Sequence, residues 1–135
     1  MKAKHLKAYM KCAEAFGECS DSTILKVGCV VVKNNRIISC GYNALPAPMK
    51  GSLEDENGKT KPSVRHAEIN ALLGVMRSNE SSIGATLLCT HACCTLCAIA
   101  IVDAGIDKFF YQHDFKYSDG IKYLKSNGVV VYKLE

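Results

Sequence analysis

Two short segments of the chain combine residue types that bind metals and move protons: His66-Ala67-Glu68, and Cys94-Thr95-Leu96-Cys97 inside the run THACCTLC. Each stands just after a strand or loop, at the expected start of a helix. Residues three apart on a helix share a side, so Cys94 and Cys97 can aim both sulfurs at one point. With His66 as third ligand, a tetrahedral zinc would keep one corner for water, the arrangement of catalytic rather than structural zinc. The partial positive charge of a helix N-terminus favours thiolate over thiol at such positions. Glu68, two residues from His66, points elsewhere on the first turn. That suits an acid/base group, which would take a proton from the activated water and pass it to a leaving nitrogen. Taken singly the segments are ambiguous: HAE also reads as surface residues at a helix start, and CxxC also serves redox pairs and structural zinc. Their combination at two helix starts within one βαβ unit points to a catalytic metal.

The elements that must position these residues follow from periodicity. MKAKHLKAYMKCAEAF is an amphipathic helix, with Leu6, Tyr9, Met10, Ala13 and Phe16 on one side and Lys4, Lys7 and Lys11 on a solvated face. VGCVVVK (27–33), the turn pair Asn34-Asn35 and RIISCGYN (36–43) form a β-hairpin whose strands are both expected to be buried. The stretch from Asn43 to Ser63 holds all three prolines and has no period, so it is a long loop of the kind that often covers a site. Ile69, Leu72, Leu73 and Met76 recur at i, i+3, i+4 and i+7, the core stripe of a helix over 65–77. ATLLCT (85–90), a helix from Cys94 to Ala104, KFFYQH (108–113), the helix SDGIKYLKSNG and VVVYK complete the order αββαβαβαβ. Strands and helices alternating in this way predict the α/β class, a sheet with parallel members covered on both faces.

Composition narrows the function classes. With 135 residues the chain is one domain, 1–135, and no apolar run approaches the roughly 18 residues of a membrane span. The net charge of +4 is too mild to indicate nucleic acid and suits a small anionic ligand equally well. The lysine-rich start lacks a secretory signal pattern, which predicts a cytoplasmic protein. In that reducing compartment the eight cysteines are expected as free thiols and metal ligands rather than a disulfide framework. Cys29, Cys40 and Cys89, in apolar strands, read as small buried hydrophobes. Cys12 and Cys19, with His5, His91 or His113, leave a second metal site open.

H-x-E followed by CxxC resembles the zinc-dependent cytidine deaminase superfamily. The order VGCVVV, GYNALP, HAEINALL is similar more narrowly to the deoxycytidylate (dCMP) deaminases, with Asn70 part of the finer match. The resemblance implies a three-layer α/β/α cytidine-deaminase-like fold with a five-stranded mixed sheet. It also implies hydrolysis of dCMP to dUMP and ammonia, with one zinc held by His66, Cys94 and Cys97 and Glu68 as proton shuttle. By similarity Asn43 would bind the sugar hydroxyl, and backbone groups around Ala67 and His91 would read the pyrimidine edge. Tyr117 would lie against the nucleotide, and Lys116 or Arg65 would meet its phosphate. Relatives are hexamers regulated by dCTP and dTTP. The resemblance therefore implies a homohexamer with a triphosphate effector and its Mg²⁺ near Lys26, Gly41, Tyr42 and Asn43, and no nucleic-acid or membrane partner. A deaminase of free cytidine, or of a base in RNA or single-stranded DNA, is the alternative within the class. A non-catalytic, zinc-stabilised nucleotide-binding module is the alternative outside it.

Two departures from the family pattern stand out. Cys93 occupies the position where relatives carry proline, and because it lies four residues from Cys97 it opens a rival ligand register. Ala44 replaces a usual glycine, which constrains the loop expected to cradle the sugar.

Overall fold

In the computed structural model, which describes residues 1–135, the elements run α1 (Ala3–Gly17), β1 (Gly28–Lys33), β2 (Arg36–Tyr42), α2 (Ala67–Met76), β3 (Thr86–His91), α3 (Thr95–Asp103), β4 (Lys108–His113), α4 (Asp119–Ser126) and β5 (Val130–Lys133). The five strands form one sheet in the order β2-β1-β3-β4-β5. β1 is antiparallel to both neighbours, while β3, β4 and β5 run parallel, so the sheet is mixed.

Alternation along β1 sends its side chains to two cores. Val30 and Val32 meet Met10 and Ala13 of α1, together with Leu88 and Phe110. Cys29 and Val31 face the opposite side, where α2, α3 and α4 cover the sheet. This is the expected three-layer arrangement, and it explains why β1 reads as an unbroken apolar run. Asn34 and Asn35 both adopt positive φ, 51° and 59°, as the two-residue hairpin turn requires.

Three expectations need correction. β2 is an edge strand whose residues are mostly exposed or half-buried, because nothing pairs beyond it. The buried face of α2 is Ala67, Glu68, Ala71 and Val75, whereas Met76 is 78% exposed. The helix turns its small residues to the sheet because it packs very close: a Cβ on Gly41 of β2 would lie 2.5 Å from both Ala67 O and Ala71 N. Finally, Cys29 and Cys89 are not separate thiols. They sit opposite one another in the β1–β3 register and are joined by a disulfide. The other six cysteines are free.

Candidate active site

His66 is the N-cap residue of α2 and Cys94 that of α3. The Cys94 sulfur accepts the Cys97 N–H at 3.5 Å, taking the role that a serine or threonine oxygen plays at an ordinary N-cap. Local capping chemistry thus fixes Cys94 and Cys97 relative to one another. The peptide before α3 is held in turn by α4, since Gly120 lies against Cys93 O so closely that any Cβ there would collide. His66 reaches across from α2, with Nδ1 at 3.2 Å from Cys97 Sγ and 3.4 Å from Cys94 Sγ.

These three donors fit zinc. Bond lengths of about 2.3 Å to sulfur and about 2.05 Å to nitrogen, at the tetrahedral angle, place N and S about 3.6 Å apart. The N···S distances of 3.2 and 3.4 Å are close to this spacing, and His66, Cys94 and Cys97 form one convergent cluster. The Cys94 thiol is held down to about 4, first by a hydrogen bond from Cys97 and then by His66, which outweigh its burial. His66 is raised, chiefly through its hydrogen bond with Cys94. Cys93 is fully buried, lies outside the cluster, and has its thiol pushed up by burial. Of the two possible registers, the structure brings together the one with Cys94. The second metal site considered from sequence does not form: Cys12, Cys19, His5, His91 and His113 make no convergent donor set.

Glu68 lies in the first turn of α2, two residues after His66, 3% exposed, and burial raises its carboxyl to about 7. It borders a cavity of about 230 Å³ that also touches His66 and Cys94. The cavity is a cleft with apolar walls and a few polar groups, the usual form of a small-ligand site. Asn43, Ala67, His91 and Lys116, named above through the family resemblance, line it. The Asn43 amide donates to Leu25 O at 2.8 Å and accepts from Val27 N at 2.9 Å, so it also shapes the wall. His91 Nδ1 pairs with Thr90 Oγ1 at 2.7 Å, and burial followed by the neighbouring His113 lowers its pKa.

Tyr117 and Arg65 do not line the cavity. Tyr117 is 60% exposed and packs edge-on against Phe115, which is the aromatic that does border the cavity. Arg65 pairs through its backbone with Ala44, fastening the two ends of the long loop. Ala44 is not among the residues with positive φ, so alanine fits where relatives carry glycine. Of the residues assigned to an effector site, Tyr42 borders a separate surface hollow with Ala44 to Pro46, whereas Gly41 serves the close packing of α2. Lys26 faces a different hollow beside His91 and His113. Ser22, Ile24, Leu25, Glu54 and Thr60 also line the cavity. No sequence motif marked them, because they come from two irregular segments that meet only in three dimensions.

Paired helix N-caps bring a histidine and two sulfurs to one point, beside a buried carboxylate and an open cavity, a donor set that could hold a metal ion. The chain belongs to the family described as the cytidine and deoxycytidylate deaminase zinc-binding region, whose model matches residues 3–113. It is 35% identical over 120 residues to the deoxycytidylate deaminase of Mycobacterium phage D29, covering 78% of this chain and 92% of that one. With the Saccharomyces cerevisiae deoxycytidylate deaminase it shares 30% identity over 133 residues, covering 91% of this chain but only 42% of the yeast protein. The crystal structure of dCMP deaminase from the cyanophage S-TIM5, in complex with dCMP and dUMP, superposes with a TM-score of 0.97 at 41% identity, covering 99% of each chain.

Proposed function

We propose that the chain hydrolyses dCMP to dUMP and ammonia, supplying dUMP for dTTP synthesis. The observation that carries this is the convergence of His66, Cys94 and Cys97 beside buried Glu68, at a cavity of about 230 Å³. The near-complete match to an enzyme captured with dCMP and dUMP favours that nucleotide over free cytidine or a polymer. Bound to these donors, zinc supplies a Lewis acid that lowers the pKa of water so that it can attack C4 of the cytosine ring.

The protein's own part is positional and protonic. His66, Cys94 and Cys97 would hold the ion. Glu68 accepts the water's proton and returns it to the departing nitrogen, a role suited to a carboxyl whose burial favours its protonated form. Backbone groups at Ala67 and His91 read the pyrimidine edge, and Asn43 takes a sugar hydroxyl. Lys116, on the cavity wall, meets the 5′-phosphate. Tyr117 and Arg65 stand outside the cavity and are assigned no contact with the nucleotide. A cytoplasmic location, a hexamer, and dCTP or dTTP with Mg²⁺ as effector near Lys26, Gly41, Tyr42 and Asn43 complete the reading. Exposed Leu96 and Met76 on the outer helical layer supply apolar surface for assembly. No helix is long and apolar enough to cross a membrane.

The test is ammonia release from dCMP, cytidine and a cytosine-containing oligonucleotide by the zinc-loaded protein. Turnover of dCMP is the expected result. Turnover of the oligonucleotide alone would overturn the substrate assignment, and zinc binding without turnover of any substrate would favour the non-catalytic module.

A further inference from the structure

We propose that Glu54 is a positioning residue for nucleotide binding: it clamps the strap 22–26, and so fixes Ile24 and Leu25 as a wall of the cavity. The inference rests on the proposed reading of that cavity as the dCMP site.

The strap joins α1 to β1 and has no regular structure to hold it. Its backbone donors are satisfied instead by side chains. Glu54 Oε1 accepts from Thr23 N at 3.0 Å and Thr23 Oγ1 at 2.9 Å, and Oε2 accepts from Ser22 Oγ at 2.8 Å. Ser22 Oγ in turn accepts from Ile24 N at 3.2 Å and Leu25 N at 3.1 Å. One carboxylate therefore organises four consecutive residues, directly or through a single hydroxyl. Asn43 holds the far end of the strap through Leu25 O and Val27 N.

Two features separate this from an ordinary loop contact. Glu54 is only 7% exposed, yet its side chain borders the cavity, as do Ser22, Ile24 and Leu25. Ile24 and Leu25, by contrast, are 65% and 41% exposed. Large apolar side chains held open beside a cavity give a ligand a surface to pack on, and an unrestrained strap would fold them away. Glu54 also comes from the long loop, where it pairs through its backbone with Thr60, so the clamp ties that loop to the strap across the cavity mouth. The hydrogen bonds from Thr23 and Ser22 lower its carboxyl, which keeps it ionised as a strong acceptor. None of its partners is a zinc donor or Glu68.

Glu54→Gln preserves shape but turns a donor toward Ser22 Oγ, whose lone pairs already serve Ile24 and Leu25. The test combines amide exchange of Thr23, Ile24 and Leu25, steady-state kinetics with dCMP, and zinc content, all on the zinc-loaded protein. The expected result is faster exchange at these amides and a KM for dCMP raised about tenfold, with kcat within about twofold, as when uniform binding is lost. Zinc content should be unchanged. Ser22→Ala should raise KM similarly, and the double variant should be no worse than the more impaired single one, because both changes break one linkage. Unchanged exchange in Glu54→Gln would overturn the clamp, and faster exchange with an unmoved KM would overturn its role in binding. Additive effects in the double variant would refute the shared linkage. Wild-type protein that failed to deaminate dCMP would refute the substrate reading itself, a failure visible before any variant is made.

Discussion

Replacing Gly41 by alanine tests whether the close approach of α2 to the sheet is what aims His66 and Glu68. The new Cβ would lie 2.5 Å from Ala67 O and from Ala71 N, where ordinary contact begins near 3.4 Å. Both obstacles are backbone atoms of α2, so no side-chain rotation can relieve them. The helix must retreat by about 0.9 Å, the difference between these two distances. Ala67 stands between the ligand His66 and the acid/base residue Glu68, so the shift falls on the first turn that carries both. Misplacement of about 1 Å is enough to cost roughly 10²-fold in rate, and overpacking of this kind destabilises by about 1–3 kcal/mol.

A control is available on the same helix. A Cβ at Gly74 would collide only with the Ser39 side chain, which can rotate away at the loss of its hydrogen bond to Ala71 O at 2.7 Å, a loss offset by alanine being the better helix former by about 0.5–1 kcal/mol. Gly41→Ala and Gly74→Ala should be compared in ammonia release from dCMP, zinc stoichiometry and melting temperature. Gly41→Ala should lose about 10² in kcat and bind zinc more weakly, while Gly74→Ala stays near wild type. Wild-type kcat and zinc content in Gly41→Ala would refute the packing explanation. A change confined to the response to dCTP or dTTP would return Gly41 to the effector site.

Other consequences can be checked directly. Glu68→Gln should keep a full complement of zinc while kcat falls by about 10²–10⁴, and undiminished turnover would rule out the proton shuttle. Cys93→Ala should retain zinc and Cys94→Ala should lose it by elemental analysis, with the opposite pattern restoring the rival register. Non-reducing peptide mapping should recover Cys29 linked to Cys89. Because that bond spans a sequence separation of 60, its reduction should lower stability in urea by about 4 kcal/mol. Finding both residues as free thiols would remove the disulfide. Hydrogen bonds lower the Glu54 carboxyl from its ordinary value of 4.5, so its contribution to stability is present above that pH and is lost as pH falls through the lower folded value. Glu54→Gln should therefore show a shallower acid-induced loss of stability than wild type, and parallel curves would contradict the sign.

What could be read from sequence was what local chemistry determines. The spacing from Cys94 to Cys97 is set by one helical turn and its cap, and Asn34-Asn35 specifies its own turn, so neither needs distant residues to be recognised. The order of strands and helices likewise emerged from periodicity. The stripe expected on α2 was right only in part: Ile69 and Leu72 pack at the edge of the core, while Met76 is exposed. The deepest contacts are made by Ala67 and Ala71, against a strand that offers a glycine. The Cys29–Cys89 pairing depended on a register between strands nearly half the chain apart, which no local signal encodes.

The same distinction runs through the site itself. Its reactive end is assembled from helix starts, so identity and geometry travel together in short motifs. The opposite wall is assembled from the strap 22–26 and the long loop, whose residues gain meaning only when Glu54 meets Ser22 and Thr23. On the proposed reading, chemistry at C4 belongs to the end formed by His66, Glu68 and Cys94 with Cys97, while the strap and loop meet the rest of the nucleotide. Exchanging the strap and its clamping residue together, rather than either alone, is the change that should alter which pyrimidine nucleotide is accepted.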